Sequence, residues 1–148
     1  MSLGIAGVVA TSVAAGLTEG GGEQLSLVST TAPPGPLVPN SGGYVRIETK
    51  SGATKCSINT DLVACETSGD GWPVNSNGQH YHTVSVNASG EFHWVDANLG
   101  VLEGRVTIDY QNYSAQGWTI VGSPEYTKFT NDLSGHGMSV SDQRVTAF

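Results

Sequence analysis

Residues 55–67, KCSINTDLVACET, hold both cysteines of the chain, Cys56 and Cys65, with eight residues between them. Zinc sites use C-x(2–4)-C pairs in twos and thioredoxin-like redox motifs use C-x-x-C, so a single pair at this spacing is neither. The residues in between give a geometric reading instead. A two-residue hairpin turn at Thr60-Asp61 sets Asn59 opposite Leu62, Ile58 opposite Val63, Ser57 opposite Ala64 and Cys56 opposite Cys65. With 59/62 hydrogen-bonded, 56/65 falls on a non-hydrogen-bonded pair, whose Cα atoms lie about 4.5 Å apart, within disulfide range. The same register puts Cys56, Ile58, Val63 and Cys65 on one face, as a half-buried hairpin requires. The spacing therefore predicts a structural disulfide, worth about 2–3 kcal/mol in the chain-entropy model, and with it an oxidising compartment. The alternative is a pair of buried free thiols.

The rest of the chain reads as short strands. YVRIETK (44–50) alternates Val45, Ile47 and Thr49 against Tyr44, Arg46 and Glu48, and a Lys50-Ser51-Gly52-Ala53 turn leads into the cysteine hairpin. In HYHTVSVNASGEFHWVDAN a three-residue Ala88-Ser89-Gly90 loop pairs Asn87 with Glu91, Val86 with Phe92 and Val84 with Trp94. That register collects the apolar residues on one face, which a two-residue loop would not. GRVTIDY (104–110) alternates Val106, Ile108 and Tyr110 against Arg105, Thr107 and Asp109. GWTIV and EYTKFT flank a Gly122-Ser123-Pro124 turn, and MSVSDQRVTAF turns at Asp142-Gln143, pairing Val140 with Val145 and Met138 with Ala147. Closely spaced strands with no helix-period segment predict an all-β fold, a small antiparallel β-sandwich or barrel with one disulfide-closed hairpin, preceded by a flexible N-terminal segment.

Only 13% of residues are charged and the formal net charge is −7, so Ser, Thr and Asn do most of the solubilising. Six Lys and Arg, none clustered, argue against nucleic acid and against anionic lipid surfaces as partners. Residues 1–17 carry an apolar run of about fifteen, the length of a signal h-region and short of the ~20 a membrane span needs. No Lys or Arg precedes it. The natural start is then expected upstream, or the segment is a buried strand or helix. No cysteine near Leu17 suits a lipoprotein anchor. Residues 18–43, with four of the six prolines among Gly, Ser and Thr, read as a linker. The β domain is expected over 44–148.

Five stretches, SGATKCSINTDLVACE, FHWVDANLG, AQGWTIVG, FTNDLSGHGMSVS and the terminal VTAF, resemble a family of small exported proteins of mycobacteria and related actinomycetes. The likeness spans 44–148, and its specific elements are the cysteine hairpin followed by Glu66 and the FTND-x-SGHGM run. It implies a signal or membrane-proximal segment, a Pro-rich linker and a β domain in an extracytoplasmic setting, and no particular reaction. His80-Tyr81-His82 lies outside the shared pattern.

Few side chains suggest chemistry. His80 and His82 alternate along a strand, so both rings share a face, and H-x-H is a metal-ligand spacing suited to zinc or copper. The hairpin register sets His82 opposite Asp96 and His80 opposite Asn98, giving a histidine a carboxylate neighbour. His136, in SGHG, is the candidate third ligand, while His93 points to the other face. The alternative is that both imidazoles extend the Val84/Val86 face to its rim. The loop FTNDLSGHGMS offers Asn131, Asp132 and His136 to a ligand, although the same residues suit a tight turn. Ser134 and Ser139 lack the G-x-S-x-G context. Glu91, Asp96, Glu103 and Asp109 are not placed as a catalytic pair. Tyr110, Tyr113, Trp118 and Tyr126 line a carbohydrate or hydrophobic groove or belong to the core. Asn87-Ala88-Ser89 and Asn112-Tyr113-Ser114 match the glycosylation sequon, which has meaning only in a eukaryotic secretory pathway.

These features predict an exported cell-envelope or extracellular β domain that acts by binding a protein or envelope ligand, with no catalytic motif. Residues 1–17 would keep it near a membrane. A metal-binding protein or metal-dependent hydrolase using His80 and His82 is the second reading, and a structural envelope component the third.

Overall fold

A computed structural model describes residues 31–148, which form one compact unit. The expected apolar segment 1–17 and the first half of the expected linker, 18–30, lie outside the described residues. Among those described there is no α-helix, and none long and apolar enough to cross a membrane.

Strands β1 (Gly35–Pro36), β2 (Val45–Glu48), β3 (Thr54–Ile58), β4 (Leu62–Thr67), β5 (Thr83–Asn87) and β6 (Phe92–Val95) are followed by β7 (Val106–Thr107), β8 (Asn112–Ala115), β9 (Trp118–Gly122), β10 (Thr127–Asn131), β11 (Gly137–Val140) and β12 (Val145–Ala147). They build two six-stranded sheets, in the orders β6-β5-β4-β3-β2-β7 and β1-β8-β9-β10-β11-β12. The sheets pack together as a sandwich, and both contribute to a single core. Alternation decides which side chains enter it. Val45, Ile47, Cys56, Ile58, Val63, Cys65, Val84 and Val86 come from the first sheet, and Tyr113, Ala115, Trp118, Ile120, Phe129, Met138 and Val140 from the second.

The three local hairpins have the register their turns dictate. Asn59 N donates to Leu62 O at 3.0 Å, and Cys56 pairs with Cys65. A disulfide joins the two sulfurs across a Cα separation of 4.1 Å, and both cysteines are fully buried. Asn87 N donates to Glu91 O, and Gly90 takes the left-handed conformation (φ 95°) that a three-residue loop needs. Met138 pairs with Ala147 and Val140 with Val145.

Four sequence expectations need correction. The sheets are mixed: β1 runs parallel to β8 and β7 parallel to β2. GRVTIDY pairs only over Val106–Thr107, after which Ile108 enters the core and Tyr110 faces solvent. The β9–β10 turn falls later than Gly122-Ser123-Pro124, because Gly122 is still strand and Ser123 N donates to Tyr126 O at 2.9 Å. Residues 31–43, read above as linker, belong to the compact unit. Ala32 N donates to Thr107 O and Leu37 N to Ser114 O, each at 2.8 Å, while both side chains pack on the core. Tyr113 bridges this segment to its own sheet, its hydroxyl donating to Ala32 O at 3.0 Å and accepting from Asp109 N at 2.8 Å. Composition misleads here because proline favours an extended backbone close to β, which a sheet edge accepts without needing the missing N–H.

Candidate functional site

One end of the sandwich gathers the turns from both sheets. The β2–β3 turn, Asp109-Tyr110, the β9–β10 turn and the β11–β12 turn surround a small cleft of about 80 Å³. Two half-exposed tyrosines, Tyr110 and Tyr126, line it together with the hydroxyls of Ser123 and Ser141. The cleft is pinned rather than loose. Lys50 Nζ contacts Asp109 Oδ1 at 2.8 Å and stands 4.7 Å from the centroid of the Tyr110 ring, while Tyr110 N donates to Asp109 Oδ1 at 2.7 Å. On the facing wall, Ser123 Oγ donates to Tyr126 O at 2.8 Å and accepts from Tyr126 N at 3.2 Å.

The hydrogen bond from Lys50, then that from the Tyr110 amide, holds the Asp109 carboxyl below its ordinary value of 3.8. The same pair raises Lys50 above 10.5. A lowered carboxylate contributes above its unfolded pKa and loses that contribution as pH falls through the folded value. A raised amine contributes below its unfolded pKa and loses that contribution as pH rises through the folded value. The cleft geometry should therefore be constant between those limits. NMR titration of the Asp109 carboxyl should give a midpoint below 3.8, moving upward in Lys50→Ala; an unchanged midpoint in the variant would remove Lys50 as the cause.

The histidines occupy a second place. Trp72 is buried, with Nε1 donating to Ser141 O at 2.7 Å, and this anchors the long segment between β4 and β5. Beyond it, Tyr81 N donates to Pro73 O at 2.8 Å, and Asn75 Oδ1 accepts from the amides of Asn77 and Gln79, closing a small side hairpin. Trp94 stacks with Tyr81 (5.8 Å between centroids) and tilts against Trp72 (5.5 Å). His80 and His82 open on one depression of about 420 Å³, whose wall includes Asn75, Gln79 and Asp96.

The expected partners of these rings differ from those found. The β5–β6 ladder ends at Thr83 opposite Val95, and the backbone of His82 turns to β4 instead, its carbonyl accepting from Thr67 N at 3.0 Å. Asp96 is therefore not paired with His82, nor Asn98 with His80. Asp96 accepts from Asn75 Nδ2 at 3.0 Å, and the carboxylate beside His82 is Asp70, at 3.7 Å from Nε2.

His136 stands at the opposite end of β5. Its ring packs on Gly90, where a Cβ would lie 2.7 Å from His136 Cγ, and its Nδ1 is 3.2 Å from Phe148 O. Five strand steps separate Asn87 from His82, about 17 Å, so His136 does not join the other two. The loop around it uses its polar side chains for its own construction. Asn131 Oδ1 accepts from Leu133 N at 3.1 Å and Ser134 N at 3.0 Å, and Asp132 accepts from the Thr119 hydroxyl. Tyr113 and Trp118 are core residues, Trp118 donating to Asn59 O at 2.9 Å. Among the described residues, no group of three His, Cys, Asp or Glu side chains is placed to hold a metal ion.

Sequence reasoning named Tyr110, Tyr126 and the histidine pair but missed Lys50, Asp70 and Trp72. Lys50 and Asp109 meet across 59 residues, and no local pattern marks such a contact. Asp70 lies in a loop whose course depends on the Trp72 anchor.

The fold and its turns define a disulfide-closed, two-sheet β-sandwich with an open end. Comparison with protein families, with characterised proteins and with solved structures found no match to this chain.

Proposed function

We propose that this chain is the binding domain of an extracytoplasmic protein, and that the cleft between Tyr110 and Tyr126 receives a hydroxyl-rich ligand of the saccharide class. The observation that carries the reading is the pair of exposed tyrosines mounted on hydrogen-bonded turns. Aromatic rings offer a flat apolar face to sugar C–H groups. The second carboxylate oxygen of Asp109 and the remaining lone pair of the Ser123 hydroxyl supply polar partners that fix orientation. Because the turns are already locked, little conformational entropy remains to be lost on binding. The buried disulfide supports the compartment, since such bonds persist where thiols are not kept reduced. The resemblance to exported mycobacterial proteins points the same way, towards the cell envelope.

Titration of the full chain with a panel of soluble cell-wall oligosaccharides, followed by backbone NMR, tests the reading. Saturable shifts are expected at Tyr110, Tyr126, Ser123 and Ser141. Tyr126→Ala should weaken binding about tenfold, the upper range for one aromatic contact, without lowering the melting temperature. Saturable shifts located elsewhere, or none with any member of the panel, would overturn the assignment.

A further inference from the structure

We propose that His80, His82 and Asp70 form a solvent-facing site for a transition-metal dication such as Zn²⁺ or Cu²⁺. The first support is the protonation pattern of the two rings. His80 Nδ1 is hydrogen-bonded to Trp72 O, and His82 Nδ1 lies 3.1 Å from Thr67 O. A carbonyl oxygen only accepts, so each neutral ring must carry its proton on Nδ1 and a lone pair on Nε2. That tautomer, held by a main-chain carbonyl, is how proteins orient a histidine for metal ligation through Nε2. Both anchors are rigid: Thr67 belongs to β4, and the Trp72 ring is buried and hydrogen-bonded. The rings therefore lose little rotamer freedom when a metal arrives.

The second support is placement. The two histidines alternate along an extended stretch and line the same depression. His82 Nε2 and Asp70 Oδ1 stand 3.7 Å apart, beyond a good hydrogen bond. Two ligands of one tetrahedral metal with bonds of 2.0–2.1 Å are about 3.3 Å apart, close to this separation. The Asp70 side chain is 76% exposed and free to move, as it must, because the three side chains do not converge without a metal. Asp96, the carboxylate that strand register suggests, is engaged by Asn75, whereas Asp70 has no other hydrogen bond among the described residues. The set would be two imidazoles, one carboxylate and water. A net charge of −7 favours a dication over the whole surface. Because the ligands must close in, binding should be weaker than at a preformed site.

The test uses the full chain, purified without a histidine tag, stripped of metal and titrated with zinc chloride by calorimetry, with imidazole ¹⁵N shifts as a second readout. One saturable site is expected, with the Nε2 resonances of His80 and His82 moving and those of His93 and His136 unchanged. His82→Ala should weaken binding at least about tenfold. Since His82 also holds Thr67, Asp70→Asn is the decisive variant: this exposed change leaves the fold intact and should weaken zinc by about the same factor. No saturable binding up to millimolar zinc would overturn the proposal. So would zinc affinity unchanged in Asp70→Asn, or lost in His136→Ala.

Discussion

The variant Cys56→Ala/Cys65→Ala should melt about 10 °C below the native protein under non-reducing conditions. Closing the short loop between these residues is worth about 2–3 kcal/mol through the unfolded chain alone. For a domain of this size, each kcal/mol moves the midpoint by roughly 3–5 °C. Both sulfurs are fully buried between Ile58, Val63 and Val84, so replacing them by methyl groups also leaves a small void. Denaturant unfolding of the two proteins measures the total. A difference below about 1 kcal/mol would mean that the hairpin is already as ordered in the unfolded chain as the cross-link makes it. Native protein treated with an alkylating agent in denaturant, without reductant, should take up no label; two alkylated sulfurs would remove both the cross-link and the case for an oxidising compartment.

Gly137→Ala should be more damaging than its size suggests. Gly137 pairs with Thr130 across β10 and β11, and a Cβ there would stand 1.8 Å from Phe129 O and 3.0 Å from the Phe148 ring. The first neighbour is backbone in the middle of a ladder, so the sheet itself must move. Overpacking of this kind typically costs about 1–3 kcal/mol, and at a main-chain clash the upper part of that range is expected. Gly137 also exchanges hydrogen bonds with Phe148, its N donating to Phe148 O at 3.2 Å and its O accepting from Phe148 N at 3.0 Å. Displacing it should release the last strand, visible as faster amide exchange from Val145 to Phe148. A variant as stable as the native protein would show that β11 sits farther from β10 than described.

Legibility in the sequence followed the range of the interactions. The hairpins at 59–62, 87–91 and 141–144 were readable because turn length and two-residue alternation act within about ten residues, and both point to one register. Cys56 facing Cys65 is a consequence of that local geometry. The ladder from β5 to β6 was readable only as far as Val95. Beyond it, local pairing competes with Thr67 and Trp72, residues that alternation along one strand does not bring into view. The histidine site was half legible for the same reason: the spacing showed two rings on one face, whereas the carboxylate beside them came from a loop held by Trp72.

The sequence by itself determined the all-β class, the inward faces of the strands and the sulfur link, because each depends on backbone periodicity and on short loops. Tertiary structure decided which hairpins share a sheet, that residues 31–37 dock along β7 and β8, and that Lys50, Asp109, Tyr110 and Tyr126 meet at one end. Those choices depend on burying two apolar faces against each other, and that gain is a property of the assembled sandwich rather than of any segment.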